Sequence, residues 1–135
     1  MEFFIRDEQA MLELGNRISK SLHRGDLVLL EGHLGAGKTT LVRGILHGLG
    51  WREPVRSPTY NLFAPYDTDP PVLHADFYRI SDAQGTGIED YFDTHVCLVE
   101  WPDALRSLVD LTLSARVEIT TEGTGRRVRL SNILL

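Results

Sequence analysis

Apolar residues recur at three- and four-residue steps near the start of the chain, at Met11, Leu14, Ile18 and Leu22, behind an Asp7 whose carboxylate can cap a first helical turn. The spacing predicts an amphipathic helix that Gly25 ends. A continuous apolar run, Leu27 to Leu30 and closed by Glu31, then reads as a buried strand. Helical spacing returns at Leu41, Ile45 and Leu49, and Gly48 and Gly50 interrupt it, placing the end of this second helix near His47. Residues 51–57 are polar and broken by Pro54, so they form an exposed loop. Two apolar and aromatic runs, 60–66 and 72–78, flank the turn-forming Asp67-Thr68-Asp69-Pro70-Pro71 and predict a hairpin.

In the second half, residues 96–100 form a compact apolar run ending in Glu100, and Pro102 prevents a regular ladder from continuing past it. Asp103 is placed to cap a short helix through Leu108. Apolar Ala115, Val117 and Ile119 alternate with polar Arg116, Glu118 and Thr120, the period of a half-exposed strand. Val128 and Leu130 begin its partner across a flexible loop at 121–125. Together these elements predict an α/β fold: a mixed β-sheet of the P-loop NTPase type with helices on both faces and a C-terminal β-hairpin. At 135 residues, the chain suits a single domain spanning 1–135.

Between the first buried strand and the second helix lies Gly32-His33-Leu34-Gly35-Ala36-Gly37-Lys38-Thr39, which meets the phosphate-loop pattern G-x-x-x-x-G-K-[ST] at every constrained position. Glycines without Cβ atoms let successive backbone N–H groups approach phosphate oxygens, and the helix that follows adds its positive end. Lys38 supplies a mobile cation for β/γ oxygens, and Thr39 a hydroxyl for Mg²⁺. Residues His33, Leu34, Gly35, Ala36, Gly37, Lys38, Thr39 and Thr40 form the expected nucleotide cradle, with a nucleoside triphosphate and Mg²⁺ as ligands.

Such a loop needs an acid at a neighbouring strand end to hold the metal and orient water. Glu100 and Asp76, each closing an apolar run, both qualify. Glu100 follows the apolar-run-then-acid arrangement of a Walker B strand and is assigned to the Mg²⁺ side with Thr39, leaving Asp76 to position water or a switch loop; the reverse assignment stays open. Trp101, one residue beyond the acid, can stack on the base, anchor a partner or belong to the core.

A net charge of −5 and a pI near 5.5 give no overall attraction for a nucleic-acid backbone, which argues against tight direct binding. The short basic groups Arg52 with Arg56, and Arg126-Arg127 with Arg129, read as solvated faces. Cys97 is the only cysteine, which excludes an intramolecular disulfide and suggests a buried small hydrophobe. The five histidines show no close metal-ligand spacing, so each is expected to be structural. No apolar run approaches the length of a membrane span, and no basic-then-apolar leader opens the chain; a cytoplasmic protein is expected.

The order of these pieces resembles the TsaE family, also called YjeE, of bacterial ATPases required for the threonylcarbamoyladenosine modification of tRNA. The marks are the phosphate loop through Thr40, Ser57-Pro58-Thr59-Tyr60, Asp76-Phe77-Tyr78-Arg79, Gly87-Ile88-Glu89-Asp90-Tyr91-Phe92 and Val99-Glu100-Trp101-Pro102. The first is generic to nucleotide-binding proteins, and the other four in this order are specific. The resemblance implies a weak ATPase that works with the TsaB and TsaD proteins and meets tRNA only indirectly. It also implies that residues 57–60 and 87–91 are switch loops, with Thr59 reaching the γ-phosphate or Mg²⁺. The rival reading is a small-molecule kinase, but such enzymes usually close a basic lid over the transferred phosphate, and no arginine-rich lid is present. A GTPase is disfavoured because N-K-x-D is absent and D-x-x-G does not follow the acid.

Overall fold

The computed structural model describes residues 1–58 and 61–135. A seven-stranded sheet runs through the molecule in the order β1-β7-β6-β2-β5-β4-β3. Its strands are β1 (Glu2–Ile5), β2 (Leu27–Glu31), β3 (Phe63–Tyr66), β4 (Val72–Asp76), β5 (Val96–Glu100), β6 (Ala115–Glu122) and β7 (Gly125–Ser131). The four central strands β6, β2, β5 and β4 are mutually parallel, whereas β3, β7 and β1 pair antiparallel with their neighbours. Parallel pairing brings the C-terminal ends of β2, β4 and β5 to one edge, the edge where α/β sheets bind ligands.

The period-two alternation sorts the strand side chains into two cores. Val28, Leu30, Val72, Leu98, Val117, Ile119 and Val128 face helices α1 (Glu8–Ser19) and α2 (Lys38–Gly48) in one layer. Leu29, Leu73, Ala75, Cys97 and Val99 face the other way, where Ile88, Ala104 and Leu105 cover them from two 3₁₀ turns, Ile88–Tyr91 and Pro102–Ser107. Among the described residues the two faces are thus covered by unlike helices: both α-helices lie on one side, and only short 3₁₀ segments lie on the other.

Asp7 caps α1 as its position suggests, accepting the Ala10 N–H at 2.9 Å. The helix stops at Ser19, well before Gly25, because the chain turns at Lys20 with successive short-range bonds; Leu22 is buried from the turn. Gly48 does not interrupt α2 but is its last residue. A Cβ there would overlap the Ser19 side chain, and one on Gly15 would lie 2.6 Å from the Leu41 carbonyl oxygen. Gly15 thus lets α1 meet the backbone of α2, and Gly48 makes room for the Ser19 side chain, packing roles that composition does not display.

Two other expectations change, and one strand was not foreseen. Asp103 is exposed and paired with Arg106; the 3₁₀ turn instead begins with Trp101 in a left-handed conformation (φ 56°) and Pro102 in its first turn. The C-terminal hairpin is longer than expected, since 121 and 122 continue β6 and Gly125 already opens β7, leaving a two-residue turn. Strand β1 had no sequence-level signal of its own: four residues with burial only at Phe3 and Ile5 gain their identity by pairing with β7.

Candidate functional site

The phosphate loop joins the end of β2 to the start of α2, and its shape depends on its glycines. Gly35 and Gly37 take φ angles of +80° and +113°, which side chains with a Cβ resist. Gly37 is the N-cap of α2 and provides no side-chain acceptor, so the first turn of the helix is left uncapped towards the loop. A helix end of this kind attracts an anion.

Lys38, the first residue of α2, is buried although charged. Its ammonium donates to the Gly32 carbonyl at 2.5 Å and lies 3.8 Å from the centre of the Trp101 ring, a cation–π contact. Burial lowers its pKa from the ordinary lysine value, and the negative charges of Glu100 and Asp76 oppose that shift. The lysine is therefore a desolvated cation that rests on a backbone carbonyl and an aromatic face in a cleft it shares with two carboxylates. A polyphosphate would give it the counter-charge that its surroundings only partly supply.

The two acids stand side by side, Asp76 and Glu100 being register partners at the ends of β4 and β5. They differ in surroundings. Asp76 is half-buried and accepts the Tyr78 N–H at 2.9 Å through Oδ1. Glu100 is 4% exposed, and its Oε2 lies 2.5 Å from Nε2 of the fully buried His74. Against an ionised carboxylate, which only accepts, Nε2 is the donor; Nδ1 has no hydrogen-bond partner among the described residues. His74 was expected to be merely structural. Sequence gives no signal for this contact, because 26 residues separate the pair and only the β4–β5 register joins them.

A cleft of about 470 Å³ is lined by Leu34, Gly35, Gly37, Lys38, Thr39, Thr40, Ser57, Leu62, Asp76, Tyr78, Arg79, Glu100 and Trp101. It collects most of the residues singled out from sequence: the loop and helix start, both acids, the tryptophan and Ser57. His33 and Ala36 do not line it. His33 is exposed, its Nδ1 2.7 Å from the Leu34 carbonyl oxygen and its Nε2 2.8 Å from Thr121 Oγ1, while Ala36 is buried. Thr59, like Tyr60, lies outside the described residues. The segment 87–91 does not line the cleft either: Ile88 is buried in the core under the sheet, and the Tyr91 ring packs edge-on to Phe63 at 5.9 Å. Trp101 serves here as a lid over the Lys38 cation and packs 4.9 Å from Tyr78.

The donor set suits a hard cation. Thr39, Asp76 and Glu100 offer oxygen, as Mg²⁺ requires. Among the described residues no group of three or more His, Cys, Asp or Glu could hold a metal ion. Cys97 is inert: burial pushes its thiol up to about 12.

A glycine loop and helix start at the C-terminal edge of a parallel-centred sheet, facing acids on neighbouring strands, make this an α/β protein of the phosphate-loop type. The model of the family described as "Threonylcarbamoyl adenosine biosynthesis protein TsaE" matches residues 5–129, and the chain belongs to the TsaE family. TsaE of Haemophilus influenzae is 41% identical over 110 residues, covering 74% of this chain and 70% of that protein. TsaE of Streptomyces coelicolor is 38% identical over 127 residues, 88% of this chain and 86% of that one. The fold superposes on the crystal structure of Bacillus subtilis YdiB with a TM-score of 0.84 and 26% identity, covering 99% of this chain and 86% of the other. Membership implies a nucleotide-binding protein that takes part in threonylcarbamoyladenosine biosynthesis. No helix among the described residues is long and apolar enough to cross a membrane.

Proposed function

We propose that this protein is a Mg²⁺-dependent ATP hydrolase that supports formation of N6-threonylcarbamoyladenosine in tRNA by acting on a complex of the TsaB and TsaD proteins. The observation that carries the hydrolase reading is the buried Lys38 ammonium at the uncapped start of α2, in one cleft with the Asp76 and Glu100 carboxylates. The reading of its partners and pathway rests on the family.

In this mechanism the backbone of residues 33–37 and the first turn of α2 bind the phosphates. Lys38 leaves the Trp101 face to meet the β/γ oxygens, and Thr40 at the cleft wall completes the cradle. Thr39 and Glu100 would hold Mg²⁺, which when bound neutralises charge on those oxygens. His74 fixes the Glu100 carboxylate from behind, the arrangement by which outer partners orient metal-binding carboxylates. Asp76 orients water and takes its proton as the water oxygen bonds to the γ-phosphorus; the bond to the β–γ bridging oxygen breaks and ADP retains that electron pair. Thr59, by its place in the Ser57-Pro58-Thr59-Tyr60 motif, senses the γ-phosphate, so that hydrolysis alters a surface read by the partners. A role in tRNA modification fits a cytoplasmic protein that meets tRNA through its partners.

The test is release of phosphate from ATP and from GTP, with and without TsaB and TsaD from the same source. Slow ATP turnover that rises when both partners are present is expected. Indifference to the partners together with phosphate transfer to a small acceptor would establish a kinase instead.

A further inference from the structure

The β6–β7 hairpin grips the phosphate loop with a cross-strand pair. Thr121 of β6 and Arg126 of β7 are register partners, and their side chains therefore share one face of the sheet. Thr121 Oγ1 lies 2.8 Å from His33 Nε2 near the start of the loop. Arg126 reaches the middle of it: Nε donates to the Ala36 carbonyl at 3.0 Å and Nη2 to the Gly35 carbonyl at 3.4 Å. Its Nη1 donates to the carbonyl of Gly125 at 3.0 Å, which anchors the guanidinium to its own strand. Arg126 thus does not belong to the solvated basic face expected from sequence, unlike Arg127, which pairs with Glu122 on the surface.

A peptide unit is planar, and its N–H points opposite to its C=O. Fixing the Ala36 oxygen therefore also fixes the direction of the Gly37 N–H, on the far side of the loop from Arg126. The next helical amides follow that peptide. The flanking glycines make this restraint necessary, since Gly35 and Gly37 remove the steric limits that hold an ordinary backbone. The guanidinium is suited to the task because its planar fork spans two acceptors in one rigid group, which a lysine cannot do.

We propose that Arg126, seconded by Thr121, is a positioning residue for polyphosphate binding: it aligns the Gly35 and Ala36 peptides so that the loop presents its amides to the anion before the ligand arrives. The proposal rests on the reading of this loop as a nucleotide site. It assigns the C-terminal hairpin, distant in sequence from the loop, a direct part in affinity.

The test measures binding of ATP, ADP and inorganic tripolyphosphate by calorimetry to the intact protein and to Arg126→Ala, Arg126→Lys and Thr121→Val, with thermal unfolding of each and the ¹H–¹⁵N resonance of Gly37 in the ligand-free state. Arg126→Ala and Arg126→Lys should both weaken ATP and tripolyphosphate by about tenfold, as loss of a charge-assisted pair would. Both should also shift the Gly37 amide while leaving the unfolding temperature close to that of the parent. Thr121→Val should give a smaller loss of the same kind. Full binding by Arg126→Lys would overturn the proposal in favour of simple charge attraction. A loss confined to ATP, with tripolyphosphate unaffected, would overturn it in favour of direct contact with the nucleoside. An unshifted Gly37 amide would do so as well. Failure of the parent protein to bind any of the three ligands would refute the nucleotide reading itself, a result distinct from each of these.

Discussion

Nε2 of His74 lies 2.5 Å from Oε2 of Glu100, and both side chains are removed from solvent beneath the candidate phosphate site. The histidine supplies the hydrogen bond that makes burial of this carboxylate tolerable. His74→Leu keeps the volume and removes the donor, leaving a buried acid without that partner. The variant should lose about 2 kcal/mol of stability in urea unfolding at neutral pH. His74→Gln, which can still donate to Glu100, should recover part of the loss. Equal stability of His74→Leu and the parent would show that the contact does not matter to the fold.

Lys38 is predicted to oppose folding in the ligand-free protein. Burial lowers its pKa in the fold, with Glu100 and Asp76 only partly compensating. Between that lowered value and the ordinary 10.5, the unfolded chain binds more protons at this site than the folded one, so stability from this group rises with pH across the window. Below the window the charged lysine is a net burden. Lys38→Met should therefore unfold at a higher temperature than the parent at neutral pH, and the gap should narrow as pH approaches 10.5. The same variant should bind ATP at least tenfold more weakly, on the order expected for loss of a phosphate-bound cation. A variant less stable than the parent across the whole range would refute the assignment of net desolvation.

The two acids are separable by isosteric change. Glu100→Gln should reduce the Mg²⁺-dependent part of ATP affinity by about tenfold, because a neutral amide is a poor ligand for a hard cation. Asp76→Asn should leave that part nearly intact, and both should abolish turnover. Calorimetry with and without Mg²⁺ decides the order, and a larger Mg²⁺ defect in Asp76→Asn would exchange the roles.

Close contact of α1 with α2 depends on glycine. A Cβ on Gly15 would meet the Leu41 carbonyl oxygen at 2.6 Å and the Ile45 nitrogen at 2.8 Å, both rigid backbone. Gly15→Ala should destabilise the protein by about 1–3 kcal/mol through forced separation of the helices, despite the higher helix propensity of alanine. Because α2 begins at the phosphate loop, the same change should also weaken nucleotide binding. Denaturant unfolding and an ATP titration test the two effects, and an alanine variant as stable as the parent would contradict the packing argument.

Local sequence determined the phosphate loop, the Asp7 cap and the strands β2, β4, β5 and β6. Glycine at positions of positive φ, an aspartate ahead of a periodic helix and alternation in β6 all act within a few residues, so their physics is written in adjacent letters. Asp76 and Glu100 were legible as acids ending apolar runs. What sequence left undecided is everything carried by register. The parallel β4–β5 pairing sets His74 against Glu100, and the antiparallel β6–β7 pairing sets Thr121 beside Arg126 above the loop. Strand β1 exists only because β7 offers it an edge. The helix–helix contact at Gly15 is equally non-local, since a glycine in a helix looks like a breaker until the second backbone that needs its space is present. Spatial pairing of strands and helices distant in the chain depends on burial summed over the whole sheet, and no short window of sequence contains that sum.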